Sequence, residues 1–307
     1  MNMNKKPLVS IVIPVYNGAD FLSEAINSAL AQTYDNIEIL VVNDGSTDDG
    51  KTTIIAQSYG TKIRYFEKEN GGVSTALNLG IREMKGAYFS WLSHDDLFAD
   101  TKVEKQILFL KEQGKSCLIY SNYIYIDSNG KHLSLANGIK SRTNRNFTHL
   151  LLSDFPINGI TTLIHKSILD EVGFFNEELK TSQDYDYWFR CSKKFTMVFF
   201  PQVVAYSRLH PNQGTRTNKL MKFEGDVLYT QIARYFFSTE SSQKLRRQEI
   251  FECISFLLIN NFYSSAMMFI RCLNSSTLKL LFYIMLILYP GRKYVRNLFL
   301  LVLNFKR

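Results

Sequence analysis

The sequence predicts an α/β domain with a mainly parallel central sheet, followed by a helical C-terminal appendage. Short apolar runs alternate with helical segments at the spacing of βαβ units. Polar residues suited to ligand binding follow successive predicted strands, and open α/β sheets bind ligands at the carboxyl ends of their strands. From Thr215 onward the β-rich pattern fades and helical patterns dominate.

The first third of the chain alternates strand and helix regularly. Runs rich in β-branched and aromatic residues predict strands, and apolar residues at helical spacing predict helices. Side chains at residues 46–49 can cap the second helix, and a Gly-Gly pair precedes the third. The strands are predicted at Leu8–Pro14, Ile37–Val42, Ile63–Phe66 and Ala87–Leu92, and the helices at Ala19–Ala31, Thr52–Tyr59 and Val73–Met84.

The following segment has a less regular pattern. Residues 127–146 are polar and contain a Ser-Asn-Gly turn signal, which predicts a mobile loop. The other elements are a helix at Val103–Gln113, a strand at Cys117–Ile126, strands at Thr162–His165 and Thr196–Phe200, and a helix that starts near Asp184. We expect a catalytic domain over residues 1–214 and a helical region over residues 215–307.

Composition indicates a folded cytoplasmic protein. Of the 307 residues, 46% are hydrophobic and 21% are charged, as in globular domains. The apolar run Leu8–Val15 is too short to span a membrane and lacks a cleavage site, so we expect a buried strand there. The cysteines show no paired spacing, which indicates reduced thiols; they are Cys117, Cys191, Cys253 and Cys272.

The net charge of +8 belongs to the C-terminal part of the chain. Residues 1–214 have a net charge of −1 and residues 215–307 a net charge of +9. No basic face is visible on the N-terminal part, so nucleic-acid binding is not expected. The apolar runs Leu280–Tyr289 and Leu298–Leu303 are too short to cross a bilayer. Their basic neighbours predict peripheral contact with an anionic membrane at its cytoplasmic face, with a packed helical hairpin as the alternative.

Three motifs after the predicted strands have both a binding and a structural interpretation. After Pro14, the Tyr16 ring can stack on a base while the Asn17 amide bonds its edge, or the segment is an ordinary turn. The Asp44 carboxylate can accept a hydrogen bond from a base N–H or a ribose hydroxyl, and Gly45 allows the ligand to approach the backbone closely. The structural alternative is that Asp44 forms an Asx turn. The third motif is a glycine-rich entry to a helix whose N-terminus can bind an anion such as a diphosphate, or it is a plain glycine turn. Its residues are Asn70, Gly71, Gly72, Ser74, Asn78 and Gly80.

The most informative motif is the adjacent pair Asp95 and Asp96, directly after an apolar strand. Two neighbouring carboxylates at a buried strand end repel each other and are costly to desolvate. The arrangement is understandable if one bonds a ligand and the other holds a hard divalent cation that bridges phosphates. Capping of the next helix is the structural alternative.

Two further positions offer proton-transfer or metal chemistry. Asp184 and Asp186 lie at a predicted helix start, where they either complement the helix dipole or supply a base for an acceptor hydroxyl. His210 is a candidate metal ligand or phosphate contact, although a lone histidine near a strand end is more often structural.

Together these motifs resemble a bacterial family 2 inverting glycosyltransferase with a GT-A type nucleotide-sugar-binding domain, from about Pro7 to His210. The resemblance implies Asp184 as catalytic base and a Mg²⁺ or Mn²⁺ ion held by Asp96, with Asp95 on ribose or phosphate. It implies that the remaining motif residues bind the nucleotide sugar, UDP-sugar above all; they are Pro14, Tyr16, Asn17, Asp44, Gly45, Asn70, Gly72, Ser74 and Asn78.

The resemblance also implies the class of acceptor and the type of transfer. The expected acceptor is a glycan or polyprenyl-linked saccharide in surface polysaccharide synthesis. The chain departs from the family pattern at Ser93, usually Asp, and at Gln183, often Glu. The Gln-x-x-Arg-Trp motif of processive synthases is absent, which favours transfer of a single sugar.

Two other functions are alternatives to glycosyl transfer. A sugar nucleotidyltransferase would be expected to carry a glycine-rich loop with Arg and Lys after its first strand, where this chain has Tyr16–Asp20. A catalytically degenerate, sugar-nucleotide-binding membrane scaffold would not need to keep all four acidic residues Asp44, Asp95, Asp96 and Asp184.

Overall fold

A computed structural model describes residues 6–113, 117–136, 147–154, 157–211, 213, 220–238 and 247–271. The chain forms two compact units. The first comprises residues 1–143 and 156–218, and the second comprises residues 144–155 and 219–307. The segment 144–155, which the sequence pattern left within the catalytic domain, belongs to the second unit.

In the described part of the first unit, nine strands form one sheet. The strands are β1 Val9–Val15, β2 Ile37–Asn43, β3 Arg64–Glu67, β4 Tyr88–Trp91, β5 Leu97–Phe98, β6 Cys117–Ile126, β7 His132–Ala136, β8 Leu163–His165 and β9 Thr196–Arg208. The helices are α1 Leu22–Leu30, α2 Lys51–Ser58, α3 Val73–Glu83, α4 Lys102–Gln113, α6 Lys166–Val172 and α7 Gln183–Ser192, while α5 Phe147–Ser153 lies in the second unit.

The strand order is β3-β2-β1-β4-β8-β6-β9-β5, with β7 paired to β6. The long ladders are parallel: β1 pairs with β2 and β4, β2 with β3, and β6 with β9. The short strand β8 lies antiparallel between β4 and β6 and joins the two parallel parts. The predicted mainly parallel sheet is therefore confirmed, with antiparallel strands at its centre and one edge.

Alternating side chains of β1 face the two sides of the sheet, as the pleat requires. Val9, Ile11, Ile13 and Val15 belong to the core cluster that also contains the apolar face of α1. Val12 points the other way, against Gly80 of α3. The helix face predicted for α1 is confirmed, since its buried residues are Leu22, Ala25, Ile26 and Ala29.

Two predictions about the strands were wrong. Part of the predicted loop 127–146 forms β7, because Asp127 Oδ1 accepts from the backbone N–H groups of Asn129 and Lys131 and turns the chain back along β6. β7 is short and its residues are exposed or only partly buried: Leu133 is 52% and Leu135 51% exposed. The alternation of these two leucines with polar residues was therefore a weak signal within a polar segment. The strand predicted to end at Phe200 continues to Arg208, with Pro201 and Gln202 looped out of register, since bulges tolerate proline.

The second unit is helical over its described residues: α5, α8 Met221–Ser238, α9 Arg247–Ile259 and α10 Tyr263–Arg271. Tyr229 stacks on Phe262 at 4.7 Å between ring centroids. The Asp226 carboxylate accepts from the backbone N–H groups of Ser264 and Ser265 at the start of α10. No helix among the described residues is both long and apolar enough to cross a membrane.

Several predicted features lie outside the described residues. These are the apolar runs Leu280–Tyr289 and Leu298–Leu303, the end of the 127–146 segment, and Cys272. The other three cysteines, Cys117, Cys191 and Cys253, are buried free thiols, as the sequence predicts.

Replacing Gly80 with alanine should destabilise the first unit, because the added methyl group would overlap Val12 Cγ1. Overpacking of this kind costs about 1–3 kcal/mol, which exceeds the ~1 kcal/mol gained from helix propensity. Urea unfolding of Gly80→Ala measures the free energy of unfolding. The double variant Val12→Ala/Gly80→Ala provides space for the added methyl group. Its loss in free energy of unfolding should therefore be smaller than the sum of the losses in the two single variants. A loss equal to that sum would contradict this packing.

Candidate active site

The carboxyl ends of the parallel strands meet at one edge of the sheet. The backbone N–H of Asp44 donates to the Val15 carbonyl at 2.8 Å, and that of Lys68 donates to the Asn43 carbonyl at 3.0 Å. These bonds hold the segments after β1, β2 and β3 side by side. The first three sequence motifs therefore lie together, as the rule for open α/β sheets predicts.

The segment after β1 has one exposed side chain and one that holds the neighbouring loop. Pro14 is buried in β1 opposite Val42, whereas Tyr16 is 45% exposed. Asn17 has a φ of 49°, and its Oδ1 accepts from the Thr47 backbone N–H at 2.7 Å. The Tyr16 ring is thus available to stack on a base, while the Asn17 amide positions the loop after β2.

Asp44 is 3% exposed, and donors within the protein surround its carboxylate. Lys68 Nζ donates to Oδ1 at 2.7 Å, and the backbone N–H groups of Gly71 and Gly72 donate at 3.1 and 2.7 Å. The Thr75 hydroxyl adds a contact at 3.3 Å. Asp44 therefore closes the loop after β2 onto the glycine-rich loop before it can meet any ligand.

This contact changes the interpretation of the glycine-rich helix start. The N-terminus of α3 favours an anion, and the Asp44 carboxylate already fills that position. The close approach depends on glycine, because Gly45 has a φ of +68° and a Cβ there would lie 2.6 Å from the Asn70 backbone nitrogen. Asn70 Nδ2 donates to the Asp44 carbonyl at 2.9 Å, and Gly72 caps α3 with a φ of 97°.

Ser74 and Asn78 of α3 differ in their capacity to bind a ligand. The Ser74 hydroxyl is buried and has no hydrogen-bond partner in the described part of the chain. Asn78 is fully engaged: its Nδ2 donates to the Phe175 carbonyl at 2.9 Å and to Glu177, and its Oδ1 accepts from the Phe175 N–H at 2.9 Å. The structure thus gives Asn78 a positioning role toward residues 174–178.

The acidic pair after β4 is held by β9 and the residues that follow it. Asp95 Oδ2 lies 3.0 Å from His210 Nε2, and Asp96 Oδ1 accepts from the Arg208 backbone N–H at 2.7 Å. Burial, and then the charge of Asp95, raise the pKa of Asp96 well above its usual range. A divalent cation next to the pair would offset the repulsion between the two carboxylates, which adds to the effect of burial.

The donor atoms here suit Mg²⁺ or Mn²⁺. In the described residues no group of three or more acidic, histidine or cysteine side chains surrounds one point. Nucleotide-bound Mg²⁺ uses only one or two carboxylates and takes its other ligands from phosphates and water. Asp95 and Asp96, with His210 beside them, match that smaller requirement.

Sequence reasoning missed Arg208, whose side chain is 0% exposed. Its guanidinium donates to the Asp95 carbonyl at 2.9 Å, to the Ser128 carbonyl at 2.9 Å and to Glu24 Oε2 at 2.7 Å. It also lies over the Phe21 ring at 4.5 Å. Its position two residues before His210 was the one feature that could have marked Arg208 as a site residue. No local sequence pattern connects Arg208 with Glu24.

Asp184 and Asp186 of α7 are distinguished by their partners. Asp186 Oδ2 accepts from Arg190 Nε at 2.8 Å, an i,i+4 ion pair. Asp184 Oδ1 instead accepts from the Tyr185 backbone N–H at 2.8 Å, and the Asp184 carboxylate also accepts from its own backbone N–H. Burial raises the pKa of Asp184 to about 6, so its carboxylate can take up a proton near neutral pH.

The two departures from the family pattern occupy different environments. The Ser93 carbonyl accepts from the Asp96 N–H at 3.1 Å and closes the turn after β4. Gln183 is 7% exposed, and its Oε1 has no partner within the described residues. A neutral amide at position 183 adds no like charge beside Asp184.

Comparisons with known proteins agree with this architecture. Residues 10–173 match the family described as glycosyl transferase family 2. A protein of Rickettsia typhi, named as an uncharacterized glycosyltransferase, is 49% identical over 226 residues, which are 71% of this chain and 70% of that protein. One of Rickettsia felis with a similar name is 48% identical over 229 residues, 74% of this chain but 38% of the relative. The chain therefore spans well under half of that relative's length.

A solved structure supports the fold. Staphylococcus aureus TarS residues 1–349 in complex with UDP-GlcNAc superposes with a TM-score of 0.64 at 17% identity, covering 88% of this chain and 76% of that chain. The similarity confirms the predicted GT-A type α/β fold. Asp184 and His210 lie beyond the segment matched by the family. By the family match and the Rickettsia relatives, this chain belongs to glycosyl transferase family 2.

Proposed function

We propose that this chain is an inverting glycosyltransferase that moves one sugar from a nucleotide-sugar donor to a hydroxyl of a glycan or lipid-linked saccharide. The observation that carries the proposal is the Asp184 carboxyl. Burial sets its pKa to about 6, while its neighbour Asp186 is ion-paired with Arg190. A base with a pKa near the working pH is the most effective for general base catalysis.

The donor would bind across the loops after β1, β2 and β3. Tyr16 offers an exposed ring for the base, and Pro14 and Asn17 shape the same segment. The buried Ser74 hydroxyl can bond the nucleotide, and Asp44, with Gly45, Asn70 and Gly72, forms the loop on which the nucleotide rests. UDP is the favoured nucleotide, because a solved structure of the same fold contains UDP-GlcNAc.

Asp96 and His210 would hold a Mg²⁺ or Mn²⁺ ion next to the diphosphate, with Asp95 on the ribose or phosphate. When bound, such an ion offsets the negative charge that develops on the departing diphosphate. The protein's own contribution is to fix both residues. The Arg208 backbone N–H binds the Asp96 carboxylate, the Arg208 guanidinium binds the Asp95 backbone carbonyl, and His210 Nε2 lies 3.0 Å from Asp95 Oδ2. The acidic pair is therefore preorganised before the nucleotide arrives.

In the reaction, Asp184 would remove the proton of the acceptor hydroxyl. The acceptor oxygen forms a bond to the anomeric carbon while the bond from that carbon to the diphosphate oxygen breaks. Attack from the face opposite the leaving group inverts the configuration. The proton passes to Asp184, which releases it to solvent before the next cycle, because a carboxyl with a pKa of about 6 is mostly ionised near neutral pH.

Asp184→Asn should lower turnover by roughly two to four orders of magnitude, the usual effect of losing a general base, with donor affinity retained. Because only the ionised carboxylate acts as base, wild-type turnover should rise with pH through about 6 and then level off. Steady-state kinetics with a nucleotide-sugar panel measure both effects. Asp186→Asn is the matched control and should keep this pH dependence. Loss of donor affinity with turnover retained in Asp184→Asn would contradict the assignment.

Asp96→Asn should abolish the divalent-dependent part of nucleotide binding. The amide keeps an oxygen for the Arg208 N–H but loses the charge that a cation needs. Calorimetry of UDP binding with and without Mn²⁺ measures this directly, without any turnover. Unchanged Mn²⁺-dependent affinity would remove Asp96 from the metal site. Thermal unfolding checks that the variant is folded.

We also propose peripheral contact with an anionic membrane. Leu220, just before α8, and Phe223 and Val227 in the first half of α8 form an exposed apolar stripe. Leu220 is 51%, Phe223 71% and Val227 46% exposed. Gln231 and Arg234 continue the same face as exposed polar residues. Such a stripe, in a region with a net charge of +9, suits the surface of a negatively charged leaflet. This contact would bring the enzyme to a lipid-linked acceptor.

The full chain should sediment with anionic liposomes and much less with neutral ones. Phe223→Ser/Val227→Ser should reduce binding to the anionic liposomes, because it removes the apolar part of the stripe. Gln231→Ser, on the same face but outside the stripe, is the control and should bind as wild type does. Equal sedimentation of all three proteins would leave α8 without a membrane role.

A further inference from the structure

Two tyrosines near the acidic pair have no role in the steps described above. Tyr123 and Tyr125 follow the irregularity in β6 at residues 121–123. Their hydroxyl oxygens lie 2.9 Å apart, and their ring centroids are 5.1 Å apart at an interplanar angle of 77°. Both side chains are only partly buried, so ring faces and hydroxyls together form a polar aromatic surface.

This pair lies next to the acidic motif. In the parallel ladder of β6 and β9, Tyr125 is opposite Ser207, and the Ser207 side chain hydrogen-bonds Asp96. Paired residues of neighbouring strands present their side chains to the same face. Burial raises the pKa of Tyr123, and Tyr125 and the charge of Asp96 raise it further. The tyrosines therefore extend the surface on which Asp96 lies.

The same pair is connected to the helix that carries the proposed base. Tyr185 follows Asp184 in α7, and its hydroxyl donates to the Ile157 carbonyl at 3.2 Å. The adjacent Asn158 accepts from the Ile160 N–H through its Oδ1, and its side chain bonds the Tyr123 hydroxyl. Asn158 thus links the base helix to the tyrosine pair.

The bond between the two tyrosines uses only one of their two hydroxyl hydrogens. Either oxygen can be the donor in this bond. When the Tyr123 hydroxyl donates, the Tyr125 hydrogen is not used in this bond and can donate to a ligand.

We propose that Tyr123, Tyr125 and Asn158 form a saccharide-binding subsite for the acceptor. A sugar ring presents an apolar face that fits an aromatic ring and hydroxyls that fit the Tyr125 O–H. The acceptor is favoured over the donor because the reacting acceptor hydroxyl must reach Asp184, to which Asn158 is linked through Ile157 and Tyr185. This subsite rests on the proposed glycosyl transfer and specifies the substrate class as a saccharide with a ring beside its reacting hydroxyl.

The experiment compares Tyr125→Phe and Tyr125→Ala with wild type. Tyr125→Phe keeps the ring and removes the hydroxyl, so the KM for acceptor should rise by about tenfold, the effect of one lost hydrogen bond. Tyr125→Ala should raise it further, because the stacking surface is also lost. Tyr206→Phe is the matched control: it removes a tyrosine hydroxyl from the next strand, where the ring stacks on His132 at 5.2 Å, and it should behave as wild type does.

Three measurements on the full chain show whether the Tyr125 substitutions affect donor binding, hydrolysis or transfer to the acceptor. They are UDP affinity by calorimetry with Mn²⁺, hydrolysis of UDP-sugars to water, and transfer to a panel of methyl hexosides and methyl N-acetylhexosaminides. The subsite predicts that only transfer changes in the Tyr125 variants, through the KM for the methyl glycoside. An unchanged acceptor KM in Tyr125→Ala, or an equal loss of UDP affinity, would overturn it.

Failure of the proposed function gives a different result. If wild type binds no UDP and transfers no sugar from any UDP-, GDP- or dTDP-sugar, the glycosyl transfer is wrong and the subsite falls with it. If wild type transfers sugar but the Tyr125 variants match it at every acceptor concentration, only the subsite is wrong. Tyr125→Phe is nearly isosteric, so a folding defect in Tyr125→Ala does not prevent either conclusion.

Discussion

The buried guanidinium of Arg208 is the interaction on which the arrangement of the acidic site depends. A fully buried cation is tolerated only if its charge is paired and its N–H groups are bonded. Arg208 meets this requirement with partners from three distant segments: Glu24 of α1, the Asp95 carbonyl, and the Ser128 carbonyl after β6. The turn between β6 and β7 and the acidic loop must therefore meet where β9 ends.

Burial raises the pKa of two carboxyl groups, but their surroundings separate their chemistry. Asp96 is buried beside a second carboxylate, so a neighbouring cation would stabilise its ionised form. Asp184 lies beside the neutral Gln183, and the only other carboxylate on its helix turn is neutralised by Arg190. Different surroundings can thus give chemically identical side chains different roles in one fold.

Asp44 shows how a protein can use a helix N-terminus for its own construction. The partial positive charge at the start of α3 is matched by an internal carboxylate, and the same carboxylate binds Lys68. An incoming diphosphate would have to compete with this anion at α3. In the proposed function, the acidic pair after β4 is therefore the better place for a metal-bound diphosphate, and the glycine-rich loop would support the nucleotide.

The sequence by itself determined most of the longer strands and helices and the motifs at the strand ends, because periodicity and turn chemistry are local. It did not reveal the short elements β5, β7, α5 and α6 or the extension of β9 across Pro201. Residue type alone also could not separate Asp184 from Asp186, or show that Asn78 is fully bonded. Tertiary structure decided these points, since hydrogen-bond satisfaction and burial depend on groups distant in the chain. The Asp44–Gly72 and Arg208–Glu24 contacts, 28 and 184 residues apart, exist only once the sheet has formed.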